Sequence, residues 1–173
     1  MTFGDLTVQG RLMNRLIGFY LNEGSDSEGR TLAEIWAMSD DELMHAHDVV
    51  QWLFPLTEPS KFYPSAPVLS EKQIAAFHAD ARLRNNLLKS FCRFMRVFGL
   101  EYADGCLQQV THQEIWMRLN HNWLRFTRIL KSLTTLGLKD EAMLFFRFLQ
   151  RKVGNVPSMS YWRKAVGLDA NVV

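Results

Sequence analysis

Two cysteines, Cys92 and Cys106, are too few for a disulfide framework in 173 residues, and they suit a reducing compartment. No apolar run approaches the ~20 residues that a membrane span needs. Leu144-Phe145-Phe146 meets Arg147 at once, and Val49-Val50 meets Gln51. The first twenty residues lack a signal peptide's order of charged start, apolar block and small-residue cleavage site. The expectation is therefore a cytoplasmic protein without a membrane span. Gly and Pro number only 10 and 5, and 22% of residues are charged, so collagen-like repeats and wholesale disorder are excluded. No phosphate-binding lysine loop, G-x-G-x-x-G, G-x-S-x-G or H-E-x-x-H motif occurs. Neither a cofactor nor a metal is expected, and no residue is singled out as catalytic.

What is present is apolar, helical and unevenly charged. Hydrophobic residues make up 47% of the chain, enough for one domain with its own core. Leu outnumbers Val plus Ile by 23 to 16, which favours helix. Residues 1–71 carry 11 acids and 4 bases, a net of −7, and residues 72–173 carry 7 acids and 16 bases, a net of +9. Either the acidic half docks on the basic half, or the basic half meets an anionic partner.

The helix signals are local. Leu12, Leu16, Phe19 and Tyr20 share one side of a helix over 6–21, and NEGSDSEG breaks it. Thr31 opens a short helix with Leu32, Ile35 and Trp36 inward. Ser39-x-x-Glu42 is a capping box opening a helix that should run to Phe54, with Leu43, His47, Val50 and Phe54 on one stripe, until Pro55 stops it. Residues 55–69 hold four prolines, and Phe62, Tyr63, Val68 and Leu69 suggest a loop wrapped on the core. Ser70-x-x-Gln73 and Thr111-x-x-Glu114 are further capping boxes. Helices over 80–98, 121–136 and 140–153 and a last short one after Pro157 complete the reading. The expected fold is all-α: a single domain over 1–173, of about seven to nine helices, with a long Pro-containing wrapped loop.

Three polar clusters could carry chemistry. His47 and Gln51 lie one turn apart, with Asp48 beside them. A His–carboxylate pair could serve acid–base work, and the plainer reading is a buried, hydrogen-bonded imidazole. Asn120, His121 and Asn122 precede Arg125 and Arg128, which could grip a carboxylate or phosphate, or an acid of the first half. Asp48 is the expected acid. Arg82, Lys89, Arg93 and Arg96 step by seven, four and three along one helix face, either a solvated face or a phosphate-tracking stripe.

These residues carry a resemblance. His47-Asp48-x-x-Gln51-Trp52-Leu53-Phe54-Pro55-Leu56 and Asn120-His121-Asn122-x-Leu124-Arg125-x-Thr127-Arg128-Ile129-Leu130-Lys131-Ser132-Leu133 resemble the two signatures of the opioid growth factor receptor conserved region. Phe19-Tyr20, Gly29-Arg30-x-Leu32 and Ala66-Pro67 fit the same pattern, so the similarity covers about residues 17–166. Val49 and Met44 depart from it at positions where an aromatic and an acid are common. The resemblance implies an all-helical domain of a compact single-domain, bacterial type. For vertebrate members it implies binding of an enkephalin-type opioid peptide and restraint of growth. The reading it supports is an opioid growth factor receptor-like protein without enzymatic activity, binding an unknown peptide, protein or small-molecule ligand. Its candidate ligand-binding residues are His47, Asp48, Gln51, Trp52, Asn120, His121, Asn122, Arg125 and Arg128. The alternatives are nucleic-acid association through Arg82, Lys89, Arg93 and Arg96, and an enzyme using His47 with Asp48. If the polar signatures close into a network, Gln51→Ala should cost more than ~1 kcal/mol.

Overall fold

A computed structural model describes residues 15–111, 116 and 120–168. They are predominantly helical and divide into two compact units, Met1–Leu87 and Leu88–Val173. The start of the helix expected over 6–21, and the capping box at Thr111 beyond its first residue, lie outside the described residues.

The first unit opens with helical residues 15–20 (α1). α2 (Leu32–Ala37) and α3 (Asp40–His45) each start at a capping box, with Thr31 and Ser39 accepting from Glu34 N and Glu42 N while those glutamates reach back to the cap backbone. The helix expected to run from Ser39 to Phe54 breaks at Ala46, and α4 (Val49–Leu53) resumes after a turn at His47 and Asp48. The break turns His47 out: it is exposed, not on the buried stripe with Leu43, Val50 and Phe54. α5 (Glu71–Ala79) begins at the Ser70 box and α6 (Ala81–Val97) follows directly.

Aromatic contacts hold this unit together. Phe19 meets Trp52 at 5.3 Å and Tyr20 meets Phe77 at 4.8 Å between ring centres, all edge-on. The Tyr20 hydroxyl donates to the carbonyl of Leu53, and full burial pushes that phenol far above its ordinary pKa. Gly24 lies against α1 so closely that a Cβ there would sit 3.3 Å from the carbonyl carbon of Gly18. The Pro-containing loop is pinched at its base by a Leu56–Val68 bridge, with Leu69 N donating to Leu56 O at 2.8 Å. Its wrapping is partial. Leu69 is buried, but Phe62 at the tip is 82% exposed, because the pinch fixes the ends and leaves the tip in water.

The second unit contains a hairpin that was not expected. β1 (Leu100–Ala103) pairs antiparallel with β2 (Cys106–Gln109), in register Leu100 with Gln109 and Ala103 with Cys106. Asp104 and Gly105 turn the chain at φ 50° and 70°, the two-positive-φ turn that Asp-Gly favours. α7 (Asn122–Thr135), α8 (Lys139–Val153) and α9 (Met159–Ala165) follow. Their inner faces build an aromatic core: Phe126 lies 4.9 Å from Phe98 and 5.6 Å from Phe145, and Trp116 stacks on Phe126 at 5.3 Å. Trp162 packs on Trp123 and donates to Thr127 Oγ1 at 3.1 Å, joining α9 to α7.

Candidate functional site

The first signature, 47–56, falls in the first unit, and the second, 120–133, falls in the second unit.

In the first unit the cluster starts from a turn. Asp26 is fully buried, and its Oδ1 accepts from the backbone N–H groups of Glu28 and Arg30, each at 2.9 Å. An Asp side chain bonding its own downstream backbone closes such turns, and Gly29 at φ 82° lets the chain complete this one. The turn aims Arg30 back. Its Nε donates to Asp26 Oδ2 at 2.7 Å and its Nη2 donates to Asp48 Oδ2. Burial opposes the Arg30 charge, but the bonds to Asp48 and Asp26 outweigh it and hold the guanidinium above its ordinary pKa. Asp48 thus takes a cation from its own unit, Arg30.

Arg15 closes the other flank. Its Nε donates to Ser25 O at 3.2 Å, its Nη2 donates to Asp26 O, and its guanidinium lies 5.5 Å from the centre of the Trp52 ring. Trp52 is itself only 4% exposed. Gln51 stands one turn after His47. It is half-buried, and its Oε1 is shut off from water without a hydrogen-bond partner among the described residues. An unpaired buried acceptor is costly and uncommon. Gln51 therefore does not belong to a closed network, and the reason for expecting Gln51→Ala to be destabilising falls away. The cluster presents exposed His47 and one-third-exposed Asp48, with the half-buried Gln51 side chain one turn further along.

Asn122 and Arg125, one turn apart on α7, are 2% and 6% exposed, and Arg125 Nη1 donates to Asn122 Oδ1 at 3.2 Å. Asn120 Oδ1 accepts from Asn122 N at 3.0 Å. His121 is exposed and Arg128 half-buried.

The α6 line is not uniform. Arg82 is exposed but bound to Asp80, Nη2 to Oδ2 at 2.8 Å. Lys89 and Arg96 are exposed, and Arg93 is half-buried. Among the described residues no group of three or more His, Cys, Asp or Glu is placed to hold a metal ion, and no helix is long and apolar enough to cross a membrane.

Sequence reasoning missed Asp26, Arg15 and the role of Arg30. Gly29-Arg30 was visible only as part of the family pattern, because the partners of Arg30 lie 4 and 18 residues away on separate segments.

Comparison with known proteins bears on both signatures. The model of the opioid growth factor receptor (OGFr) conserved region matches residues 11–162. The opioid growth factor receptor of Mus musculus is 34% identical over 161 residues, covering 84% of this chain and 25% of that protein. Opioid growth factor receptor-like protein 1 of Xenopus tropicalis is 33% identical over 169 residues, covering 90% of this chain and 32% of that protein. The opioid growth factor receptor of Homo sapiens is 32% identical over 120 residues, covering 65% of this chain and 18% of that protein. The chain therefore corresponds to a third or less of the length of these relatives. No solved structure matches it.

Proposed function

The chain belongs to the opioid growth factor receptor conserved-region family, and on that premise we propose that it is a non-enzymatic binding module for a peptide segment. One relative is named a growth factor receptor and another a receptor-like protein, which favours a peptide ligand. The observation that carries the reading is the unpartnered Oε1 of Gln51. It stands in the first signature, beside a one-third-exposed carboxylate on Asp48 and an exposed imidazole on His47. Rotation of this half-buried side chain brings the amide to the surface, where a peptide backbone N–H satisfies the oxygen, and the packed Phe19 and Trp52 rings keep the backbone beside it rigid. The unpaired thiols of Cys92 and Cys106 support a reducing, cytoplasmic setting.

The test is selection from a displayed peptide library on the immobilised chain, followed by calorimetric titration of the enriched peptides and of an enkephalin-type peptide. Gln51→Leu is the diagnostic variant. It removes a buried acceptor whose missing bond costs ~1–3 kcal/mol, so the variant should be as stable as the parent or up to ~1 kcal/mol more stable. Binding should fall by tenfold or more. Failure to enrich any peptide, or undiminished affinity in Gln51→Leu, would refute the reading.

A further inference from the structure

Outside both signatures, a cationic surface lies at the corner where α8 ends and α9 begins. Residues 142–168 contain five bases, Arg147, Arg151, Lys152, Arg163 and Lys164, and no acid. Four of the five are exposed and Arg163 is half-buried. Among the described residues none of them has a carboxylate within ion-pair distance, whereas Arg30 and Arg82 are both held by aspartates. Five cations this close repel one another and gain from an anion that spans them.

The corner also has shape. A cleft of about 600 Å³ opens there, with Gln150, Asn155, Ser160 and Arg163 among its polar lining and Val156 and Met159 among its apolar lining. Gly154 turns the chain at the edge of this cleft with φ 67° and ψ −149°, a conformation open essentially only to glycine. On α9, Ser160 and Arg163 lie one turn apart and face the cleft. Tyr161 and Lys164 have the same spacing on the neighbouring row, and Tyr161 is 67% exposed. On α8, Arg147 and Arg151 share a row four residues apart. An exposed aromatic ring is therefore carried on α9 next to Ser160 and one turn from Lys164, and Ser160 and Arg163 line a cleft with both apolar and polar walls.

We propose that this corner binds single-stranded nucleic acid, with Arg147, Arg151, Lys152, Arg163 and Lys164 following the phosphates and Tyr161 stacking on a base. An acidic peptide would use the cations but not the ring. A duplex stacks its bases on one another and offers Tyr161 no free face. The surface is distinct from the α6 line and independent of the peptide-binding reading.

The test is fluorescence anisotropy with a dye-labelled oligothymidylate of about a dozen nucleotides, titrated with the full chain, with anionic phospholipid vesicles and the matching duplex as competitors. Five phosphate contacts predict that affinity falls about 100-fold between about 50 and about 200 mM salt, and less than about tenfold after Arg151→Ala, Arg163→Ala and Lys164→Ala are combined. Tyr161→Ala should weaken binding about tenfold and Tyr161→Phe should restore it. Arg151→Glu, on the other helix, gives the same reading if the α9 variants lose the fold. Absence of binding at the lower salt, unaltered affinity in both Tyr161→Ala and Arg151→Glu, or displacement by vesicles but not by unlabelled oligonucleotide would overturn the proposal.

Discussion

Arg30 holds one wholly buried acid and one partly exposed acid, and the difference sets the cost of losing each contact. In Arg30→Met the stem still fills its space, but Asp26 at 0% exposure keeps only its two backbone donors. Removing the cation from a buried pair costs ~3–5 kcal/mol, because a desolvated charge is left behind. The surviving backbone bonds place the expected loss at the low end, about 3 kcal/mol. Asp48 is 32% exposed, so water replaces its partner, and Asp48→Asn should cost ~0.5–1 kcal/mol. Urea unfolding at neutral pH, with the slope unchanged across variants, reads both numbers. Converting Asp26 to Asn in the Arg30→Met background removes the stranded charge and should recover part of the loss. If Arg30→Met costs no more than Asp48→Asn, or if the second substitution recovers nothing, the clamp does not hold the turn as argued.

Two further outcomes follow from local geometry. Glu34 is held below its ordinary pKa by the Thr31 backbone N–H and then its hydroxyl, and Glu42 by the Ser39 hydroxyl and then its backbone N–H. A carboxylate with a lowered folded-state pKa adds stability that is present above its unfolded value, 4.5, and lost as pH falls through the folded value. The urea midpoint should therefore drop between about pH 5 and about pH 3 more steeply in the parent than in Glu34→Gln/Glu42→Gln, and parallel curves would refute the assignment. Gly105→Ala places a side chain at φ 70° with nothing within 4 Å of the new carbon, so its cost is conformational, ~1 kcal/mol in thermal unfolding. A neutral Gly105→Ala would mean that the hairpin does not depend on its turn.

The starts of α3 and α5 were legible because a capping box is a four-residue device: Ser39 with Glu42, and Ser70 with Gln73, carry the whole signal. The hairpin carried a signal too, Asp104-Gly105, but its strands are four residues long and only Leu100 and Leu107 on them are buried. Two-residue alternation cannot declare itself over so short a stretch. The break at Ala46 was not legible at all. Leu43, His47, Val50 and Phe54 keep helical spacing, and nothing local forbids a continuous helix. What accompanies the break is the Arg30–Asp48 contact, made between residues 18 apart in sequence. Local propensity is a weak prior against such tertiary contacts.

The two signatures use the same residue types for opposite ends, and burial separates them. Asn122 and Arg125 lie on the face of α7 that also carries Phe126 and Ile129 inward, and Arg125 Nη1 donates to Asn122 Oδ1 there. Gln51 follows Val50 on a helix of only five residues, after a turn that carries His47 outward. A five-residue helix has little more than one turn with which to bury a long polar side chain, and the amide stops half-way in, its oxygen dry and unpaired. Substitutions at Asn122 or Arg125 therefore act through stability. Substitutions at Gln51 separate stability from binding, and that makes the first signature the more informative place to look for a ligand.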